Sequence, residues 1–196
     1  TDYTVSYSAN TKVGTVEVTI TGTGSYFGEI KSSFDILPAK QQIQKLETRF
    51  KGFFIDWAQK GSATGYEIEY SSNADFKDST VKKLTANKPD TLTISGLTAG
   101  NKYYVRVRSY TNVGENVYYG AWSDSKNVTA AKYDITKSAI SGISTKTYTG
   151  KNITQSVKVK YNGKTLKSGT DYTVSYSNNK KVGTATVKIT GKGQYG

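Results

Sequence analysis

The chain has 196 residues, of which 35% are hydrophobic and 21% charged, and it carries a formal net charge of +12. It contains no cysteine, histidine or methionine, which excludes disulfides, Cys/His zinc sites, iron–sulfur clusters, thiol nucleophiles and Ser–His–Asp triads. No run approaches the ~20 apolar residues of a membrane-spanning helix.

From the N-terminus onward the pattern is that of strands. Tyr3, Val5 and Tyr7 alternate with polar residues, and Val16, Val18 and Ile20 do the same. Side chains of a strand point to alternate faces, so each segment has one inward and one wet side. Gly22-Thr-Gly24 marks a turn, and Gly28–Ile36 reads as a further strand. Beyond Leu37-Pro38, the segment Phe53–Trp57 sets Phe53, Ile55 and Trp57 on one face. Gly65–Tyr70 does so with Tyr66, Ile68 and Tyr70. Strands over Thr91–Leu97 and Tyr103–Tyr110 follow, and a last one is expected to begin at Gly120-Ala-Trp-Ser123. Further on, Val157, Val159 and Tyr161 alternate with Lys158 and Lys160. Asn162-Gly163 favours a type I′ hairpin, because both positions tolerate positive φ. Lys167-Ser-Gly169 and Asn178-Asn179 mark more turns. No stretch keeps apolar residues at helical spacing over several turns. Short alternating strands with frequent turns predict an all-β chain of tandem β-sandwich modules.

The two ends repeat one another. Thr1–Phe27 and Thr170–Gly196 share 19 identities in 27 positions. The first copy lacks a counterpart of Ser138–Gly169, and the last lacks a counterpart of Gly28–Ile36. The expected organisation is therefore three modules. Residues 1–37 are the C-terminal part of one repeat, 38–131 a different module, and 132–196 a repeat without its last strand. The chain reads as a piece of a longer array. Such partial modules expose sheet edges, so the N-terminal part is expected to pack on the middle module or on another molecule. Strand-exchange self-association through the truncated repeats is a second expectation. Charge is also uneven: residues 132–196 hold 12 lysines against Asp134 and Asp171, a net +10, which leaves +2 for residues 1–131.

The middle module resembles a fibronectin type III domain. The residues that carry the likeness are Trp57, then Gly65-Tyr66-Glu-Ile68-Glu-Tyr70, then Leu97-Thr-Ala-Gly100-Asn-Lys-Tyr103 leading into Val105 and Val107, and finally Gly120-Ala-Trp-Ser123. The spacing from Leu97 to Tyr103 resembles that family's tyrosine corner, with Ala99 in place of the usual proline. The flanking repeats resemble Ig-like modules of surface and secreted proteins of Gram-positive gut Firmicutes. Together these resemblances imply an extracellular, secreted or cell-wall-attached protein whose central fibronectin type III sandwich lies between two partial Ig-like repeats. No Arg-Gly-Asp motif is present, so integrin-type binding is not implied.

Candidate binding residues are few. Tyr104 and Tyr110 flank Arg106 and Arg108 on one strand, and Tyr118, Tyr119 and Trp122 follow the loop Thr111–Asn116. Exposed tyrosines at these four places would stack on the apolar faces of sugar rings. The competing reading puts alternate tyrosines inward and pairs the arginines with Glu67 and Glu69 on the neighbouring strand. Trp57, Tyr66, Ile68, Tyr70 and Tyr103 are read as core. The lysines of the last module suit solvated faces and hairpin tips. Lys180, Lys188 and Lys192 stand where the first copy has Thr11, Thr19 and Thr23, so folding does not require them. No catalytic, cofactor or metal residues are singled out. The expected function is a non-catalytic spacer that presents other domains. The alternative is a carbohydrate- or wall-binding adhesion module, with polysaccharide or an anionic wall polymer as partner and nucleic acid disfavoured.

Overall fold

The computed structural model describes residues 2–196. Sixteen strands follow in chain order among them. They are β1 (Tyr3–Tyr7), β2 (Gly14–Gly22), β3 (Glu29–Ile36), β4 (Ile43–Arg49), β5 (Gly52–Trp57), β6 (Gly65–Ser71), β7 (Thr80–Leu84) and β8 (Thr91–Ile94). Then come β9 (Lys102–Val113), β10 (Asn116–Tyr119), β11 (Lys126–Thr129), β12 (Ala139–Ser141), β13 (Lys158–Tyr161), β14 (Lys164–Thr165), β15 (Tyr172–Ser177) and β16 (Thr186–Gly191). The chain is all-β apart from one 3-10 turn at Ile135–Lys137. The Asp134 carboxylate caps that turn by accepting from the Thr136 amide. The Thr136 hydroxyl donates to the same carboxylate at 2.6 Å, and this bond, with that of the amide, holds the Asp134 carboxyl below its ordinary range.

The residues fall into two compact units. One holds residues 1–47, 54–93 and 102–128, and the other holds 48–53, 94–101 and 129–196. In the first unit, β1-β2-β3 form an antiparallel sheet. Its register pairs Val5 with Ile20 and Ile20 with Ile30, and pairs Val16 with Phe34. Every apolar residue of the three strands therefore lies on one face. That face is largely open: Tyr3 is 54% exposed, Tyr7 55% and Ile30 69%. Only Val16 is fully buried. The same unit carries the sheet β10-β9-β6-β7, with β11 also paired to β9. Trp57, Tyr66, Ile68, Val105 and Val107 are fully buried, and Tyr70 nearly so. The Trp57 and Tyr66 rings meet at 5.3 Å. Tyr103 is half-buried. The N-terminal sheet does meet the middle segment, since the Thr15 hydroxyl lies 2.8 Å from that of Tyr118.

The other sheets are β4-β5-β8, β12-β13-β14 and β15-β16. In the second unit the core is Val159, Leu166, Tyr172 and Tyr195, flanked by Tyr133, Val157, Tyr161, Val174 and Ile189. The expected I′ turn is present between β13 and β14: Asn162 and Gly163 have φ of 46° and 80°, and Tyr161 pairs with Lys164 across it.

One sequence expectation needs correction. Gly120–Ser123 does not begin the last strand, which is Lys126–Thr129. The Gly120 amide donates to the Ser109 carbonyl and the Ser123 amide to the Val107 carbonyl. Three residue steps on one side thus span two on the other, which breaks the ladder as a bulge does. Instead, the Ser123 hydroxyl accepts from the Val107 amide.

Candidate functional site

The polar face of the central sheet is where the candidate residues converge. Antiparallel pairing of β6 with β9 sets Glu67 opposite Arg108 and Glu69 opposite Arg106. Residues two apart on a strand share a face, so both pairs stand on the side away from the buried Ile68 and Val107. Arg108 donates to Glu67 through Nε at 2.9 Å and Nη2 at 2.7 Å. Arg106 Nε donates to Glu69 at 2.5 Å, and the Ser79 hydroxyl donates to its other oxygen at 2.5 Å. Only about a tenth of either glutamate side chain meets solvent. These are the cross-strand Glu–Arg pairs expected from the sequence, and the arginines cover the carboxylates.

The arginines are covered in turn by aromatic rings. The Arg106 guanidinium carbon lies 4.0 Å from the centre of the Phe76 ring and 4.8 Å from that of Trp122. That of Arg108 lies 4.4 Å from Trp122 and 4.2 Å from Tyr119. Cation and ring alternate as Phe76, Arg106, Trp122, Arg108, Tyr119. Such contacts contribute roughly 0.5–2 kcal/mol each. Lys83, opposite Glu67 on β7, closes the row 4.4 Å above the Tyr110 ring. Desolvation works against its charge. The Tyr119 hydroxyl, the nearby tyrosines and Glu67 outweigh that effect and hold the Lys83 ammonium above the ordinary lysine range.

The four candidate tyrosines do not form one exposed row. Tyr110 and Tyr118 are buried. The Tyr110 hydroxyl donates to the Leu84 carbonyl, and Tyr118 meets Thr15 as described. Tyr119 is half-buried within the ladder, with its ring 6.0 Å from that of Tyr110. Tyr104, half-buried, stands opposite Ser71 at the far end of β9. Sequence reasoning missed Phe76 and Lys83 as members of the cluster, whereas Trp122, grouped with Tyr118 and Tyr119 from the sequence, lies over both arginines. Phe76 sits in a loop at φ 62°, for which no periodicity gives a signal. In the last module Lys158, Lys160, Lys180 and Lys181 are all exposed.

The middle segment holds the sheets β10-β9-β6-β7 and β4-β5-β8, with Trp57 and Tyr66 fully buried. Residues 47–126 match the fibronectin type III domain. The match covers less than half of the chain. No curated protein matches. Among solved structures, the chain is similar to the FN1–FN3 domains of chicken CNTN1. Identity there is 14% and the TM-score 0.44, over 63% of this chain and 45% of that one. It is also similar to a myokine structure, at 11% identity and a TM-score of 0.37, over 49% of this chain and 97% of that one. The chain thus spans less than half the length of the CNTN1 structure. In the fibronectin type III segment, the charged and aromatic residues satisfy one another. Chemically the arrangement is a clamp across β6, β7 and β9.

Proposed function

We propose that the chain is a non-catalytic spacer segment of a secreted or wall-attached multidomain protein of a Gram-positive bacterium, which holds and presents other domains. Its organisation in this reading is the three-module one, with boundaries near residues 37 and 131. One observation carries the proposal: Glu67, Glu69, Arg106 and Arg108, the charged groups best placed for a ligand, are engaged with each other and with Phe76, Trp122 and Tyr119. An anionic or sugar ligand would have to displace those contacts. The match to a fibronectin type III domain supports the same role, since that family is commonly structural.

Retention on insoluble polysaccharide and a glycan array test the proposal. The expected result is no retention above that of an unrelated β-sandwich protein. Retention that drops at least tenfold in Tyr104→Ala or Tyr119→Ala would replace the spacer with an adhesion module.

A further inference from the structure

With no cysteine, methionine or histidine in the chain, its side chains most open to one-electron oxidation are tyrosine and tryptophan. Trp57 is fully buried. Trp122 lies between two guanidinium groups, and positive charge at that distance opposes the loss of an electron. The same holds for Tyr110 and Tyr119. Their rings are 6.0 Å apart, but Lys83 lies 4.4 Å from the first and the Arg108 guanidinium 4.2 Å from the second.

A tyrosine trio in the second unit is free of these constraints. Tyr133 stacks on Phe50 at 3.7 Å. Its ring centre lies 4.9 Å from that of Tyr161 and 5.4 Å from that of Tyr195. The backbone fixes this arrangement. The Tyr133 amide donates to the Gln194 carbonyl at 2.7 Å, and the Gly196 amide donates to the Tyr133 carbonyl at 2.8 Å. The three tyrosines line one pocket of about 390 Å³ with Asn162, Lys164 and Gln194. Among the described residues, no cation lies over their rings and no protein group bonds their hydroxyls. A tyrosine that loses an electron must also release its phenolic proton. The hydroxyls of Tyr110, Tyr172 and Tyr176 donate to backbone carbonyls, which accept a hydrogen bond but do not take up a proton. Those of the trio release it to water in the pocket.

We propose that Tyr133 is an oxidative crosslinking site, which a one-electron oxidant joins through a ring carbon to Tyr161 or Tyr195. Each of the two tyrosines gives up one electron to the oxidant and its phenolic proton to water. The two phenoxyl radicals then form one C–C bond between carbons ortho to the oxygens. The hydrogen on each of those carbons moves to oxygen, so both hydroxyls are restored and the chain has lost two hydrogens in all. Tyr161 and Tyr195 do not suit each other, because they meet edge to face at 69° and 5.7 Å. That geometry aims the rim of one ring at the centre of the other. The exposed Tyr3, Tyr7, Tyr26 and Tyr148 have no ring neighbour among the described residues, so they couple only between molecules. The product is a covalent tie of the kind that disulfides supply in other chains. The proposal does not depend on the spacer reading; glycan binding would leave it untouched.

Irradiation of the dilute full chain with a ruthenium photosensitiser, with persulfate as the final electron acceptor, tests the proposal. The expected product is a monomer lighter by two hydrogens, with dityrosine fluorescence and a linked peptide pair that contains Tyr133 and either Tyr161 or Tyr195. Tyr133→Phe keeps the stacked ring but has no phenolic hydrogen to lose, and should cut the yield of crosslinked monomer at least fivefold. Tyr119→Phe should leave that yield unchanged. Links that map to other tyrosines, a monomer that keeps both hydrogens, or a yield that is unchanged in Tyr133→Phe overturns the proposal. So does a yield that falls equally in Tyr119→Phe.

Discussion

Glu67 and Arg108 illustrate how single residues set the character of the central sheet. A carboxylate that is nine-tenths covered keeps its charge only beside a partner, and two hydrogen bonds from one guanidinium supply it. Arg108→Ala is expected to cost about 3 kcal/mol in chemical denaturation, because it leaves Glu67 desolvated with only Lys83 at 3.8 Å. Glu67→Leu combined with Arg108→Met should cost much less, since apolar replacement removes both desolvated charges at once. Additive losses in the two single variants would show the pair to be solvated. The pairing was legible in the sequence, because Glu-x-Glu and Arg-x-Arg on neighbouring strands must face each other in one register or the next. The rings above it were not. Trp122 sits where alternation suggested the start of a strand, and the extra residue between Gly120 and Ser123 that turns it onto the arginines leaves no periodic trace. A different constraint at residue scale is Gly65, where a Cβ would meet the Leu84 carbonyl oxygen at 2.0 Å. Backbone cannot yield as a side-chain tip does, so Gly65→Ala should destabilise by about 1–3 kcal/mol in the same assay.

At the scale of elements, the repeat offers a controlled comparison. β1 and β15 have the same Tyr-Thr-Val-Ser-Tyr sequence, yet one face is open and the other covered. Tyr3 is 54% exposed, and Tyr172 only 2%. The difference lies in the segment of β12, β13 and β14, where Val159 of β13 and Leu166, just past β14, pack with Tyr172. Its hydroxyl also donates to the Val157 carbonyl at 3.2 Å. Tyr172→Ala should therefore cost roughly 3–5 kcal/mol, the range for losing a buried aromatic. Tyr3→Ala should cost no more than about 0.5 kcal/mol, as at other solvated positions. Local stability from hydrogen exchange separates the two, and equal costs would mean that something covers the β1–β3 face in solution. Alternation alone predicted β1, β2, β5, β6 and β9 because it marks which residues can share a face. It was blind to β4 and β7. Ile43-Gln-Lys-Leu puts its two apolar residues on opposite faces, and Thr80-Val-Lys-Lys-Leu breaks alternation with paired lysines. Both are strands that neighbours recruit by backbone pairing rather than by a hydrophobic pattern of their own.

Over the whole molecule, charge is the property that sequence fixes most simply and folding changes least. Twelve lysines in residues 132–196 face two aspartates, while the preceding 131 residues sum to +2. Lys158, Lys160, Lys180, Lys181 and Lys188 are exposed, so their repulsion acts through solvent and is screened with a Debye length of about 10 Å at 0.1 M salt. Self-repulsion of this kind destabilises the compact state. Raising sodium chloride from 10 mM to 0.5 M should therefore slow amide exchange in β15 while leaving β6 nearly unchanged. The first copy of the repeat supplies the control, since it folds with Thr11 and Thr19 where the second has Lys180 and Lys188. Lys180→Thr with Lys188→Thr should flatten the salt response of β15 and raise its protection at low salt. If the variant keeps the full salt response, the charge is not what limits the stability of that module.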